Sequence, residues 1–342
     1  MPGNSEFWFR NTSVLTVASI DAPVVVTSAE IDAQLSGTYQ RVGLRPGLLE
    51  RLAGIRARRW WAEGTTFADG AAMAGGKAIA EAGVSVDDIG LLVNTSVSRA
   101  HLEPATAASV HDAIGLPSSC QNFDVTNACL GFLNGMQLAA AMIDAGQIEY
   151  ALIVNGEDAR PAHQAALRRL AEEMSTTSKD VIAEFATLTL GSGAVAMLLG
   201  PTDRHPNGHR LVGGATRSST SHHQLCVGDV ELMRTDSKNL LKYGLELCTG
   251  LWRDAQQGFD WARGAERYII HQVSQVHTDA ICAALGIDPD RVPRTFPTRG
   301  NIGPASVPFT LATQVDSLVR GAKVLLMGVG SGLNACCLEL EW

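Results

Sequence analysis

The chain has 342 residues, 46% hydrophobic and 18% charged, which is enough apolar material for one large core or two fused halves and rules out a disordered chain. A formal charge of -8 disfavours nucleic acid and anionic lipid, and seven irregularly spaced cysteines argue against a disulfide framework and fit a reducing compartment. No apolar run is long enough to span a bilayer and MPGNSEFWFRNTS lacks a secretory layout, so a cytoplasmic protein is expected.

Near the N-terminus, Thr27 and Glu30 form a capping box that opens a helix. "GIRARRWW" (54–61) packs Arg56, Arg58 and Arg59 beside two tryptophans. It reads either as a solvated turn over core aromatics or as guanidinium groups and an indole placed for a nucleotide-bearing substrate. "ADGAAMAGGKAIAEAG" has helical period and a glycine stop, and "IGLLVNTSV" (89–97) is a strand. In "HLEPATAASVHDAIG", Pro104 suits the first helical position with Glu103 just before it. Glu103 is then either a carboxylate favoured by the helix dipole or a proton acceptor.

"DVTNACLGFLNGMQLAAAM" (124–142) places Cys129 before an apolar, core-bound helix. Cys129 reads as a small buried hydrophobe, or as a nucleophile whose pKa falls because the helix N-terminus favours a thiolate. The strand "YALIVNGE" (150–157) leads into a polar segment, 161–190, with the character of an insertion or lid, followed by the strand "GAVAMLLG" (193–200). Residues 201–224 have no clear period and are expected to be surface loops; His222, His223 and Cys226 match no closed zinc spacing, and no metal is expected.

"YIIHQVSQ" ends a strand at His271, "TDAICAALG" is a helix closed by glycine, and "RGNIGPASVPF" carries Asn301 in a glycine-bracketed loop. A neutral imidazole and an amide are suitable donors to a developing enolate oxygen. "VLLMG" (324–328) and "NACCLELE" (334–341) are the last strands, with Cys336 and Cys337 facing opposite sides. The "GVGSGLN" turn before the second of them is able to offer a backbone N–H to an oxyanion. The alternation of short strands with Ala-rich helices is that of an α/β fold.

"DVTNACLGF", "YIIHQVS", "GNIGPASVPF" and "GVGSGLN" together resemble, in order and separation, the thiolase-fold condensing enzymes of the ketoacyl synthase III branch. "NTSVSR", "LEPATA" and "NACLGFLNGM" are most similar to that branch's acyl-CoA condensing enzymes of head-to-head olefin biosynthesis. The resemblance implies a five-layered α/β/α/β/α homodimer of two pseudo-symmetric halves, here 1–190 and 191–342, with a catalytic triad at Cys129, His271 and Asn301. It also implies Glu103 as a base reaching the partner's site, and an oxyanion hole of the Cys129 and Ser331 N–H groups. Two departures stand out: "GSGAVA" (191–196) replaces the branch's acidic "GDGAGA", and segment 161–190 is longer and more polar than in fatty-acid starter enzymes.

The activity implied is a non-decarboxylative Claisen condensation of two acyl-CoA thioesters through an acyl-Cys intermediate, giving a β-keto product. Alternatives are decarboxylative condensation with a malonyl thioester, which needs no dedicated base, and a non-catalytic acyl-binding subunit. Expected partners are acyl-CoA substrates, a second copy and downstream pathway enzymes; no separate cofactor is expected, since CoA belongs to the substrate. Met136, Ala139 and Ala140 read as acyl-channel lining or as plain core.

Overall fold

The computed structural model describes residues 5–229 and 232–342. In chain order the elements are β1 (Glu6–Trp8), β2 (Thr12–Asp21), β3 (Val24–Thr27), α1 (Ser28–Gln34), α2 (Ser36–Val42), β4 (Ala57–Trp60), α3 (Phe67–Ala82), β5 (Ile89–Asn94), α4 (Thr106–Ile114), β6 (Gln121–Asp124), α5 (Gly131–Asp144) and β7 (Tyr150–Glu157). They continue with α6 (Arg160–Glu172), α7 (Ser178–Leu188), β8 (Gly193–Pro201), β9 (His209–Ser218), β10 (Cys226–Gly228), β11 (Met233–Thr235), α8 (Ser237–Ala255), β12 (Arg267–Ile270), α9 (Gln275–Leu285), α10 (Phe296–Arg299), α11 (Ser306–Ala312), β13 (Lys323–Gly330) and β14 (Asn334–Glu341).

Two strand sets repeat one plan. β5–β7–β8–β2 pair parallel, antiparallel, antiparallel, and so do β12–β13–β14–β9. β6 extends the first set and β1 the second, and the sets touch where Ser13 and Val14 pair with Arg210 and His209. On this plan the first unit runs from β2 to β8 and the second from β9 to β14. β8, which begins just after the expected 190/191 division, pairs with β2 and β7 of the first set.

Strand alternation builds the layers. Leu91, Val93, Ile153 and Met197 face inward onto Phe132, Met136 and Ala140 of α5, which share one core with Val307 and Leu311 of α11 and with Leu326, Cys336 and Leu338 of the second set. The opposite face of the first set, with Leu92, Leu152 and Leu198, packs on Ala71, Ala74 and Ala78 of α3 and Val110 of α4. The opposite face of the second set, with Leu325 and Cys337, packs on Leu247 and Leu251 of α8 and Ile281 of α9. Helix, sheet, helix, sheet, helix are thus the five layers, and the adjacent cysteines face different cores. Met136, Ala139 and Ala140 are fully enclosed in the central one.

Three local expectations are corrected. The polar segment 161–190 folds as α6 and α7, whose Leu167, Leu170, Val181 and Leu188 share one apolar cluster with Ile31 of α1, Tyr39 of α2 and Leu35 between those helices, with Arg169 bidentate on Glu184 at 2.8 and 3.1 Å. The stretch 201–224 contains a full ladder strand, β9, whose Gly213 and Gly214 leave no room for a side chain beside the β1 and β14 backbones. "GIRARRWW" contains β4 (Ala57–Trp60), paired with β3. The Thr27–Glu30 capping box forms as expected.

Candidate active site

The chain leaves β6 through a tight elbow before α5. Ala128 has φ 45°, the left-handed region that a residue with a Cβ enters at a cost, and it is alone in this among the described non-glycine residues. Gly131 opens the helix because a Cβ there would lie 2.9 Å from the Thr95 carbonyl and 3.1 Å from that of Val125. Cys129 is thereby held at the N-terminal end of a buried helix. A chain of amides fixes the elbow to the β13–β14 turn: Asn127 Nδ2 donates to Asn134 Oδ1 at 2.8 Å, Asn334 Nδ2 to Asn127 Oδ1 at 3.1 Å, and Ser218 Oγ to Asn334 Oδ1 at 2.7 Å. A Cβ on Gly330 would stand 3.1 Å from the Asn127 carbonyl and 3.4 Å from Cys129 N, so that turn lies directly on the cysteine. Neither the Cys129 nor the Ser331 N–H is taken by another backbone carbonyl of the described chain.

His271 leaves the end of β12 with its N–H on the Met327 carbonyl at 2.8 Å, and the next residue of that neighbouring strand, Gly328, packs on Leu130 beside Cys129. Gln272 anchors the exit, donating to the Ile270 carbonyl at 2.8 Å and accepting from Thr295 N at 2.9 Å. His271 is 3% exposed, and its Nδ1 has no partner in the protein. Burial, with His277 nearby, pushes its pKa down to about 3, so the imidazole is neutral.

Asn301 is pinned by its backbone, which donates to the Thr189 carbonyl and accepts from Gly191 N, both at 2.9 Å. Its side chain is oriented too. The Gly303 N–H reaches it at 2.9 Å and Ser306 Oγ at 3.5 Å. A backbone N–H only donates, so the atom it meets is Oδ1, and Nδ2 is the face left for a ligand. The 303–305 turn that follows abuts α5 and β7. The end of β12 and the β13–β14 turn therefore border the N-terminal end of α5, and the 303–305 turn touches the same helix.

The expected fall in the cysteine pKa is corrected. Burial pushes the Cys129 thiol up to about 12, with Cys226 and Glu157 adding to the rise and a backbone hydrogen bond opposing it, so the resting group is a thiol. Glu103 is exposed, on a loop where residues 100–104 make no hydrogen bond to the rest of the described chain. Pro104 does not start a helix: α4 begins at Thr106, and Asp124 caps it by accepting from Thr106 N at 3.1 Å and Ala107 N at 2.9 Å.

The arginine cluster divides. Arg58 is fully buried and donates to Ser28 Oγ and the Leu188 carbonyl, both at 3.1 Å, so its expected role toward CoA is corrected to a structural one. Arg59 is half-buried, donating to the Ala22 carbonyl at 3.3 Å and lying 3.6 Å from Asp21. Arg56 alone is exposed. The sequence reading missed Glu157, a buried carboxylate beneath the Asn301 loop; a charged residue closing an otherwise apolar strand was the available signal. Among the described residues no His/Cys/Asp/Glu group is arranged to hold a metal, and no helix is long and apolar enough to cross a membrane. An apolar cavity lined by Cys248, Leu251, Trp252, Ile281 and Met327 reaches His271.

Residues 123–219 match the family model for 3-oxoacyl-[acyl-carrier-protein] synthase III, and residues 263–342 match that of its C-terminal part. The acyl-CoA:acyl-CoA alkyltransferase of Xanthomonas campestris is 42% identical over 98% of this chain and 99% of its own, and that of Shewanella oneidensis 37% identical over 94% and 96%. A crystal structure of Xanthomonas campestris OleA with bound lauric acid and lauroyl-CoA superposes with a TM-score of 0.95 at 42% identity, covering 98% of this chain and 100% of that one. The chain therefore belongs to the thiolase-fold, ketoacyl synthase III-like condensing enzymes, in the acyl-CoA:acyl-CoA alkyltransferase family.

Proposed function

We propose that the protein joins two acyl-CoA molecules by non-decarboxylative Claisen condensation. The observation that carries this reading is the locked Asn301 amide, whose Oδ1 is taken by the Gly303 N–H so that Nδ2 is left to donate, together with the neutral His271 imidazole. Such donors stabilise an enolate oxygen without giving it a proton.

In the first half-reaction the Cys129 sulfur attacks the thioester carbonyl, losing its proton as the bond forms. The oxyanion is met by the Cys129 and Ser331 N–H groups, and collapse expels CoA with that proton, leaving acyl-Cys129. In the second, a further acyl-CoA places its thioester oxygen between His271 and Asn301. Glu103, supplied by the partner of a homodimer, takes the α-proton, and the carbanion attacks the acyl-Cys carbonyl. The thiolate leaves and recovers a proton, and the β-ketoacyl-CoA is hydrolysed to the β-keto acid for a downstream enzyme. The exposed Arg56 suits a CoA phosphate. CoA is part of the substrate and the reaction needs no further cofactor; the setting is the cytoplasm.

The test is incubation with saturated acyl-CoAs of graded length, with mass spectrometry of protein and products. An acyl thioester on Cys129 and a β-keto acid with the summed chain are expected. Efficient use of malonyl-CoA with release of CO2, or no adduct at any length, overturns the reading.

A further inference from the structure

Glu157 is a buried carboxyl group that this chemistry leaves without a task; burial raises its pKa, and hydrogen bonds from Ser98, Val97 and Asn155 oppose the rise. It closes β7 at 7% exposure, and its oxygens accept four hydrogen bonds: Oε1 from Val97 N (2.7 Å) and Asn155 Nδ2 (3.2 Å), Oε2 from Ser98 N (3.0 Å) and Ser98 Oγ (2.7 Å). Ser98 Oγ accepts in turn from Asp158 N at 3.0 Å. A carboxylate has acceptor sites for all of these donors and no hydrogen to oppose them. A glutamine of the same shape must turn an N–H toward an N–H or O–H.

Val97 and Ser98 begin the loop that carries Glu103, and the loop's far end is mounted in the same manner. Asp124 accepts from Thr106 N, Ala107 N and, at 3.0 Å, Asn94 Nδ2, while Arg99 reaches back to it at 3.5 Å. Between the two carboxylates, residues 100–104 have no hydrogen bond to the rest of the described chain, and Leu102 is fully exposed. The direction in which the loop leaves the body is therefore set at its two ends.

We infer that Glu157 is a positioning residue for the condensation step: by binding the Val97 and Ser98 amides it fixes where the 97–105 loop departs, and so where Glu103 is delivered. This rests on Glu103 being the base of the proposed reaction. Its main consequence falls on the condensation half-reaction, because acyl transfer to Cys129 removes no proton from carbon and Glu157 is the smallest of the three causes that raise the Cys129 thiol, behind burial and Cys226. A merely structural role acts differently. Glu157 also underlies Gly303, where a Cβ would stand 3.7 Å from its Cδ, so general loosening disturbs the Asn301 loop and the Cys129 elbow together.

The experiment is a rapid-quench comparison of the full-length wild type, Glu157→Gln and Glu103→Gln with lauroyl-CoA, following acyl-Cys129 by mass, CoA release in the first turnover, and β-keto acid. In Glu157→Gln, acylation stays within about threefold of wild type, condensation falls at least about twentyfold, and KM moves less than about threefold. Glu103→Gln shows the same split. If Glu157→Gln does not fold, as judged by thermal melting, Asp124→Asn loosens the other mount and is expected to give that split.

Equal loss of both half-reactions in a folded variant, or condensation within about threefold of wild type, overturns the inference. Failures of the underlying reading look different: wild type that never acylates Cys129 removes the condensation itself, and normal condensation by Glu103→Gln removes the base assignment. Either takes the inference with it.

Discussion

Asn301→Asp separates geometry from charge at the proposed second oxyanion site. The aspartate keeps one oxygen for the Gly303 N–H and Ser306 Oγ, and the backbone bonds to Thr189 and Gly191 are untouched, so the loop holds its shape. What changes is the other branch, from an N–H donor to an anionic oxygen aimed where the enolate charge develops. Loss of one oxyanion donor lowers kcat by about 10²–10³, or about 2.7–4 kcal/mol, and like-charge repulsion adds to it. Condensation is therefore expected to fall at least about 1,000-fold, while acylation of Cys129, which uses the Cys129 and Ser331 N–H groups, falls by less than about tenfold. The assay is the first-turnover release of CoA from an acyl-CoA set against β-keto acid formation. Asn301→Ala gives a smaller kinetic loss but a lower melting temperature, since it strips the Gly303 N–H of its acceptor. Condensation within about tenfold of wild type in the aspartate variant, or equal loss in both half-reactions, refutes the assignment.

Further outcomes follow from the same geometry. With the Cys129 thiol pushed up to about 12, its alkylation by iodoacetamide in the substrate-free protein rises about tenfold per pH unit from pH 7 to 10; a plateau by pH 8 contradicts the burial argument. Gly330→Ala presses a methyl toward Asn127 and Cys129, slowing acylation and lowering stability by about 1–3 kcal/mol by denaturant titration, whereas Gly244→Ala in α8 meets no atom within 4 Å and gains up to about 1 kcal/mol. Arg56→Ala raises KM for acyl-CoA about tenfold with an unchanged melting temperature. Arg58→Leu does the reverse, losing about 3 kcal/mol of stability with KM unmoved, and a KM effect there contradicts its structural assignment.

What the sequence makes legible is what local chemistry decides. "YALIVNGE" is buried along its whole length and the apolar run YALIV marks it, while the run ACCL marks the buried middle of "NACCLELE". The capping box at Thr27, the glycine stops at Gly83 and Gly286, and the opposed Cys336 and Cys337 are likewise decided within a few residues. β9 is illegible for a tertiary reason: its glycines exist because two neighbouring backbones crowd it, so the sequence shows breakers where the sheet needs clearance. The polar helices α6 and α7 mislead similarly, since each buries only a narrow stripe against α1 and α2.

The site divides along the same line. Residue types at the elbow, at the end of β12 and in the Asn301 loop are set by backbone geometry within a turn or two, and their motifs survive as short signatures. Ionisation is set by the enclosure that distant segments build. Reading Cys129 from its helix alone gives the sign of the dipole and predicts a thiolate; the fold adds desolvation of opposite sign, together with Cys226 and Glu157, and the thiol is raised. Arg58 reverses for the same reason, a cation in a basic-looking stretch that Ser28 and the Leu188 carbonyl take inside. Glu157 is the complementary case, a carboxylate kept in the interior because four donors converge on it, and three of them come from residues 97 and 98, some 60 positions earlier in the chain. Its partners are invisible from its own neighbourhood, so the group that mounts the Glu103 loop is found only where the two stretches meet.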